Sequence, residues 1–133
     1  MPIDGFQHIN TRSADVERTR DFYVRILGLE VGDRPPFAST GYWLYLGGQP
    51  IVHLVQRNPG DTAHATGSGN LDHVAFRGVD LAGTRAALTA AGIPFREAIV
   101  PRDQTLQIFV LDPDGIKLEL NFEPSQTGAP SNR

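Results

Sequence analysis

The sequence contains two similar halves, and each half carries a pair of potential metal ligands at equivalent positions. His53 follows His8 by 45 residues, and Glu119 follows His73 by 46 residues. The neighbouring segments also match at an offset of about 65 residues: 5–9 resembles 70–74, 19–20 resembles 84–85, and 51–54 resembles 117–120. Two copies of one unit would bring together three imidazoles and one carboxylate, a donor set suited to a divalent cation.

Composition narrows the class of protein and the possible ligands. Hydrophobic residues make up 40% of the 133 residues and charged residues 20%, which is typical of one globular domain. The chain has no cysteine, so a metal site would have to use histidine and carboxylate side chains. A net charge of −3 without a Lys/Arg run predicts no nucleic-acid partner. No apolar run approaches the roughly 18 residues of a membrane span, so we expect a cytoplasmic protein without a membrane partner.

Hydrophobic periodicity predicts one strand, one helix and three strands in each half. The first half has strands at 6–12, 29–33, 41–46 and 51–56, and a helix that Asp15 caps and Gly28 ends. The second half has strands at 71–77, 95–100, 105–111 and 116–122, and a helix at 80–91. We therefore expect a single α+β domain over 1–124, with module one at 4–57, a linker at 58–69, module two at 70–123 and a flexible tail at 125–133.

The alternation of side chains along a strand predicts that each of the four donors lies on the face of its strand that no helix covers. Each donor alternates with aliphatic or aromatic neighbours that suit packing under a helix, so the donors would occupy the opposite, helix-free face of a strand. Asn10 and Arg12 share the face of His8, which makes it a polar surface suited to a ligand. Among the other polar residues, His64 is expected to be solvated and Asp112 and Asp114 to form a turn without a catalytic role. Asp72 and Asp103 have no stronger case for catalysis than these two.

At these positions the chain resembles the vicinal oxygen chelate superfamily, which includes glyoxalase I, extradiol dioxygenases, and the fosfomycin and bleomycin resistance proteins. The resemblance is carried by His8 and by the segments 20–23, 27–29, 71–76 and 109–120, of which the last is the most specific. It implies paired βαβββ modules that form an open, curved mixed sheet or barrel around a metal cavity, usually in a homodimer. Whether the site lies within one chain or is shared between subunits stays open.

The resemblance also implies roles for individual residues. His8, His73 and Glu119 match three metal ligands of the family, and His53 stands at a fourth position where glyoxalase I generally has Glu. Arg12 matches an arginine that binds a carboxylate of the thiol substrate, although it can equally be a charge at the rim.

Three further residues are candidate substrate contacts. Asn10 shares the face of His8, and Trp43 and Phe109 can line the cavity, although aromatic residues in strands are also common in cores. Arg57 departs from the glyoxalase I pattern, which usually has Asn at that position.

These residues favour a metal-dependent lyase or isomerase of glyoxalase type, acting on a small oxygenated substrate through bidentate chelation and proton transfer. Zn, Ni, Mn, Co or Fe(II) would serve as the divalent ion, and Glu119 would be the catalytic base. His53 would be either a ligand or an acid/base group. One alternative is an Fe(II) dioxygenase of extradiol type, with two histidines and one carboxylate. Another is a protein that binds an antibiotic.

The first prediction compares two histidines. We expect His73→Ala to abolish metal retention by the purified protein and His64→Ala to leave it unchanged, because His73 alone of the two has a partner in the repeat. Metal content measured by elemental analysis checks this. Equal retention in the two variants would refute the ligand assignment.

Overall fold

A computed structural model describes residues 2–61 and 67–127, in two compact units of which the first ends at residue 65. Unit one contains β1 (Ile9–Ser13), α1 (Val16–Leu27), β2 (Glu30–Gly32), β3 (Gly41–Leu46) and β4 (Gln49–Gln56). Unit two contains β5 (Val74–Arg77), α2 (Leu81–Ala90), β6 (Phe95–Ile99), β7 (Leu106–Leu111), β8 (Lys117–Phe122) and α3 (Pro124–Thr127). The predicted α+β class and the βαβββ order of each half are confirmed.

The two units have the same sheet topology. The strand order is β1-β4-β3-β2 in unit one and β5-β8-β7-β6 in unit two. In each sheet the first and last strands of the unit pair in parallel, and the other pairs are antiparallel. Parallel neighbours require a crossover, and in unit one this crossover includes α1.

The first strand of each unit is shorter than its sequence suggests. Parallel pairing starts where Ile9 lies opposite Val52, and in unit two where Val74 lies opposite Leu118. His8 and His73 therefore precede their strands by one residue, whereas the sequence analysis placed both inside strands. The difference arises because a strand is defined by its pairing with a neighbour, which residue pattern alone does not specify.

Helix α1 begins and ends at the predicted residues. The side chain of Asp15 accepts a hydrogen bond from the backbone N–H of Arg18, which satisfies a free donor of the first turn. Gly28 then adopts φ +74°, and its N–H bonds back to the carbonyls of Tyr23 and Val24. This left-handed conformation suits glycine and ends the helix. Asp80 caps α2 in the same way, through the N–H of Gly83.

Each unit has its own apolar core on the helix side of its sheet. The buried apolar side chains of unit one are Val16, Phe22, Tyr23, Ile26, Leu29, Leu44, Val52 and Leu54. Those of unit two are Leu81, Leu88, Leu106, Ile108, Val110, Leu118, Leu120 and Phe122. In β7 and β8 buried residues alternate with half-buried ones, which leaves the opposite face of the strands for polar side chains.

The C-terminal segment differs in part from its prediction. Residues Pro124–Thr127 form a short helix, at the start of what the sequence analysis expected to be a flexible tail. Residues 128–133 and His64 lie outside the described residues. No helix within 2–61 and 67–127 is long and apolar enough to cross a membrane.

Two leucines of unit two provide a test of the core. Leu118 is fully buried, whereas Leu111 is 58% exposed. We expect Leu118→Ala to lower the free energy of unfolding by about 2–5 kcal/mol, because it removes buried methyl groups and leaves a cavity. Leu111→Ala should change it by less than about 0.5 kcal/mol. Urea unfolding followed by circular dichroism measures both, and equal values would contradict the assigned core.

Candidate functional site

In unit one, three strands align candidate residues in one cross-strand row. His53 on β4 lies opposite Asn10 on β1 and opposite Trp43 on β3. Residues opposite each other in neighbouring strands project to the same face, so these side chains share a surface. His8 lies two residues before Asn10, and its ring stacks on that of His53, so it lies on the same face.

The imidazole of His53 lies between two other rings. The Trp43 ring stacks on one side at 4.0 Å and the His8 ring stacks at 3.8 Å, each with an interplanar angle of 12°. His53 is only 7% exposed, and its Nε2 donates a hydrogen bond to the carbonyl oxygen of Pro50 at 3.0 Å. This bond fixes one tautomer and leaves Nδ1 with a free lone pair.

Burial lowers the pKa of His53 below its ordinary value of 6.5. The positive charge of a protonated His8 or of Arg34 lowers the pKa further, while the Pro50 carbonyl opposes these effects. His53 is therefore a neutral imidazole at pH 7, which is the form that binds a metal ion or accepts a proton.

In His8, as in His53, one ring nitrogen is hydrogen-bonded and the other keeps its lone pair. Its Nδ1 donates to Oε1 of Gln7 at 2.9 Å, and Nε2 retains a lone pair. Imidazole lone pairs lie in the plane of the ring, so two rings stacked face to face hold them in nearly parallel planes. Ligation of one ion by both rings therefore requires one ring to turn. His8 precedes β1 and is less buried than His53, so it is the ring that has room to do so.

Unit two contains the equivalent pair. Glu119 on β8 lies opposite Ala75 on β5 and Phe109 on β7, and His73 lies two residues before Ala75. Nε2 of His73 is 3.5 Å from Oε1 of Glu119. These two atoms are close enough to contact a common cation.

In unit two, the outer atoms of the donors, Nδ1 of His73 and Oε2 of Glu119, are hydrogen-bonded to neighbouring side chains. Nδ1 of His73 donates to Oδ2 of Asp72 at 2.7 Å, which orients Nε2 toward Glu119. The other carboxylate oxygen of Glu119, Oε2, accepts from the amide of Asn121 at 2.8 Å, and Asn121 accepts from Gln107 at 3.2 Å. Partners of this kind fix the tautomer and orientation of metal ligands in proteins.

Asp72 makes contacts that the sequence analysis did not predict. Its carboxylate also pairs with Nζ of Lys117 at 2.8 Å. The hydrogen bonds from Lys117 and His73 lower the pKa of Asp72 from 3.8 to about 2, so the carboxylate stays charged beside the imidazole. This contact of Asp72 with His73 was not predicted from the sequence. The position of Asp72 directly before His73 was the signal available in the sequence.

The predicted substrate contacts of unit one differ in their surroundings. Arg12 donates to the carboxylate of Asp61 at 3.1 Å, and Arg57 donates to the backbone oxygen of the same residue at 2.5 Å. Asn10 is exposed on the face of His53. Trp43 stacks on His53, so that side of its ring is already covered.

Phe109, the predicted contact of unit two, has two cations near its ring. The guanidinium carbon of Arg96 lies 4.2 Å from the ring centroid, and Nζ of Lys117 lies 5.9 Å from it. Arg96 is directly opposite Phe109 in the pairing of β6 with β7, so it belongs to the same face. Sequence reasoning did not single out this arginine, since nothing near it in the chain indicates the stacking.

The donors therefore come as two pairs, His8 with His53 and His73 with Glu119. In the part of the chain that the structure describes, no three His, Asp or Glu side chains gather into a cluster for a metal ion. The donor chemistry nonetheless fits a borderline divalent cation. Each imidazole has one nitrogen held by an oxygen and the other free, and one oxygen of the carboxylate faces a ring nitrogen.

Comparison with known proteins identifies the family. The model of the glyoxalase/bleomycin resistance protein/dioxygenase superfamily matches residues 5–120, so the chain belongs to that superfamily. This confirms the resemblance found in the sequence. Members of the superfamily and glyoxalase homologues generally use divalent metals.

Three relatives illustrate the similarity. A lactoylglutathione lyase from Pseudomonas putida is 24% identical, over 86% of this chain and 83% of the relative. A glyoxylase/bleomycin resistance protein/dioxygenase domain from Frankia sp. superposes with a TM-score of 0.74 at 19% identity, over 91% of this chain and 98% of that one. The fosfomycin resistance protein FosX from Listeria monocytogenes gives a TM-score of 0.71 at 19% identity, over 90% and 93%. The two structures show that the fold is shared.

The lowered pKa of His53 leads to a prediction about pH. Between the folded pKa and 6.5 the unfolded chain binds more protons at this residue, so His53 makes the metal-free protein less stable as the pH falls below 6.5. We expect the ring protons of His53 to titrate below pH 6.5 in NMR spectra. We also expect His53→Gln to remove this part of the acid dependence. Titration at or above pH 6.5 would contradict the assigned environment.

Proposed function

We propose that this chain is a metal-dependent lyase or isomerase of glyoxalase type, with a small oxygenated substrate. The observation that carries the proposal is the approach of His73 to Glu119, with Asp72 and Asn121 holding the outer atoms of the two side chains. A carboxylate and an imidazole oriented in this way form half of a metal site with its supporting hydrogen bonds.

In this proposal His8, His53, His73 and Glu119 hold the cation. The ion is divalent, and Zn, Ni, Mn, Co and Fe(II) all accept nitrogen and oxygen ligands of this kind. When bound, it would chelate two neighbouring oxygens of the substrate and stabilise negative charge on them as a Lewis acid. The domain predicted over 1–124 would act as a unit, in a homodimer that shares or contains the site.

Glu119 is the proposed proton acceptor. Its side chain is 14% exposed and lies beside the apolar ring of Phe109, so water has little access to it. The bond from Asn121 holds Oε2, and Oε1 would take and return a proton when it dissociates from the ion or binds it loosely. His53 is neutral at pH 7. In this proposal it is either the fourth ligand or a second acid/base group.

The name of the Pseudomonas putida relative makes lactoylglutathione the first substrate to test. The face of unit one supports a glutathione site in part. Arg12 is available to bind a carboxylate if Asp61 releases it, and Asn10 is exposed beside it. Arg57 replaces the Asn expected in glyoxalase I and is also bound to Asp61, so this region differs from the glutathione site of that enzyme.

An extradiol-type Fe(II) dioxygenase is the second candidate. His53 is the most enclosed of the donors, since two rings and a backbone carbonyl surround it. If His53 does not bind the ion, the remaining donors are two histidines and one carboxylate, the set used by many Fe(II) oxygenases. Oxygen uptake with a catechol distinguishes this candidate from the lyase. A protein that only binds an antibiotic would show neither reaction.

Solvent exchange tests the proposed base. We expect the metal-loaded protein in D2O to exchange the proton next to the carbonyl of hydroxyacetone or of the methylglyoxal–glutathione adduct. Glu119→Gln should slow this exchange by about 100-fold or more, because the amide cannot accept the proton. Glu123→Gln, an exposed carboxylate just after β8, is the matched control and should have no effect.

Two results would contradict the proposal. One is exchange that proceeds equally in the Glu119→Gln variant and in the unmodified protein. The other is the absence of exchange together with catechol-dependent oxygen consumption, which would favour the dioxygenase.

A further inference from the structure

Arg96 occupies a defined position relative to the proposed base. In unit two the register aligns Glu119 on β8, Phe109 on β7 and Arg96 on β6 in one row across three strands. Neighbouring strands lie about 4.8 Å apart, so the backbone of Arg96 is about 10 Å from that of Glu119. All three side chains belong to the same face of the sheet.

The guanidinium of Arg96 is oriented by the ring of Phe109. It lies over that ring at 4.2 Å from the centroid, where the negative face of the aromatic system attracts it. This contact uses the charge of the guanidinium and leaves its N–H groups without a carboxylate partner. Those groups remain able to donate two parallel hydrogen bonds to a carboxylate.

Unlike the neighbouring cations, Arg96 has no carboxylate partner among the described residues. Lys117, the other cation at Phe109, pairs with Asp72, and Arg85 on α2 pairs with Glu97. Within the described ranges 2–61 and 67–127, no carboxylate lies within ion-pair distance of Arg96. The site face of unit two therefore carries a positioned, uncompensated cation beside the proposed base.

We propose that Arg96 binds a carboxylate of the substrate, at the end away from the two chelating oxygens. The substrate class is then an oxygenated small molecule that carries an acidic group several bonds from its reacting carbon. This inference rests on the proposed function, since it uses the same site. Arg96 is a specificity-determining residue, and Phe109 positions it.

Calorimetry with matched probes tests the assignment without relying on turnover. The probes are the monohydroxamates of succinic, glutaric and adipic acids, each beside a neutral alkyl hydroxamate of equal chain length. All of them chelate a divalent ion through two neighbouring oxygens, and only the first set has a distal carboxylate. With the cobalt-loaded protein, we expect the best acidic probe to bind about 10-fold tighter than its neutral counterpart.

Substitution of the arginine should remove only this preference. In Arg96→Gln the ratio of the two affinities should fall to about 1 while the affinity of the neutral probe is unchanged, and Arg96→Lys should keep part of the preference. Arg25→Gln is the matched control, because Arg25 is an exposed arginine on α1, outside the strands that carry the proposed donors. It should keep the full ratio.

The outcomes separate this inference from the proposed function. If neutral hydroxamates bind but the acidic ones gain nothing, or the gain survives in Arg96→Gln, the assignment of Arg96 is overturned and chelation stands. If no hydroxamate binds the cobalt-loaded protein, the chelating function fails, and the role of Arg96 fails with it.

Discussion

The parallel pairing of the first and last strands in each unit is the constraint on which the candidate site depends. It sets Asn10 opposite His53 and Ala75 opposite Glu119, and the histidine that lies one residue before the first strand of each unit contacts the donor on the last strand. Because side chains alternate along a strand, a shift of one residue in either pair would turn one donor toward the core. The alternating core residues of β8 oppose such a shift, since it would expose them to water.

The same register has different consequences in the two units. In unit one the row is aromatic, and the rings of Trp43, His53 and His8 stack on one another. In unit two the row is charged, and hydrogen bonds from Asp72 and Asn121 hold the donors. An imidazole that is neutral at pH 7 in unit one and an oriented carboxylate in unit two are the features on which the proposed function rests.

Much of this arrangement could be predicted from the sequence. The repeat gave the donor pairs, and the caps Asp15 and Gly28 gave the limits of α1, because both signals are local in the chain. Contacts that depend on strand register could not be predicted in this way. The stacking of Arg96 on Phe109 and the bond from Lys117 to Asp72 join residues whose proximity follows from pairing across the sheet. The same reason explains why the strands at His8 and His73 start later than the residue pattern suggested.

The central proposal is that His8, His53, His73 and Glu119 are ligands of a divalent ion. X-ray absorption of the cobalt-loaded protein tests it most directly, because outer-shell scattering from imidazole rings reveals how many histidines are bound. The account predicts a shell of nitrogen and oxygen ligands with two or three imidazoles, and the loss of one imidazole in His73→Ala. A shell with one imidazole or none, or a spectrum that His73→Ala leaves unchanged, would contradict it.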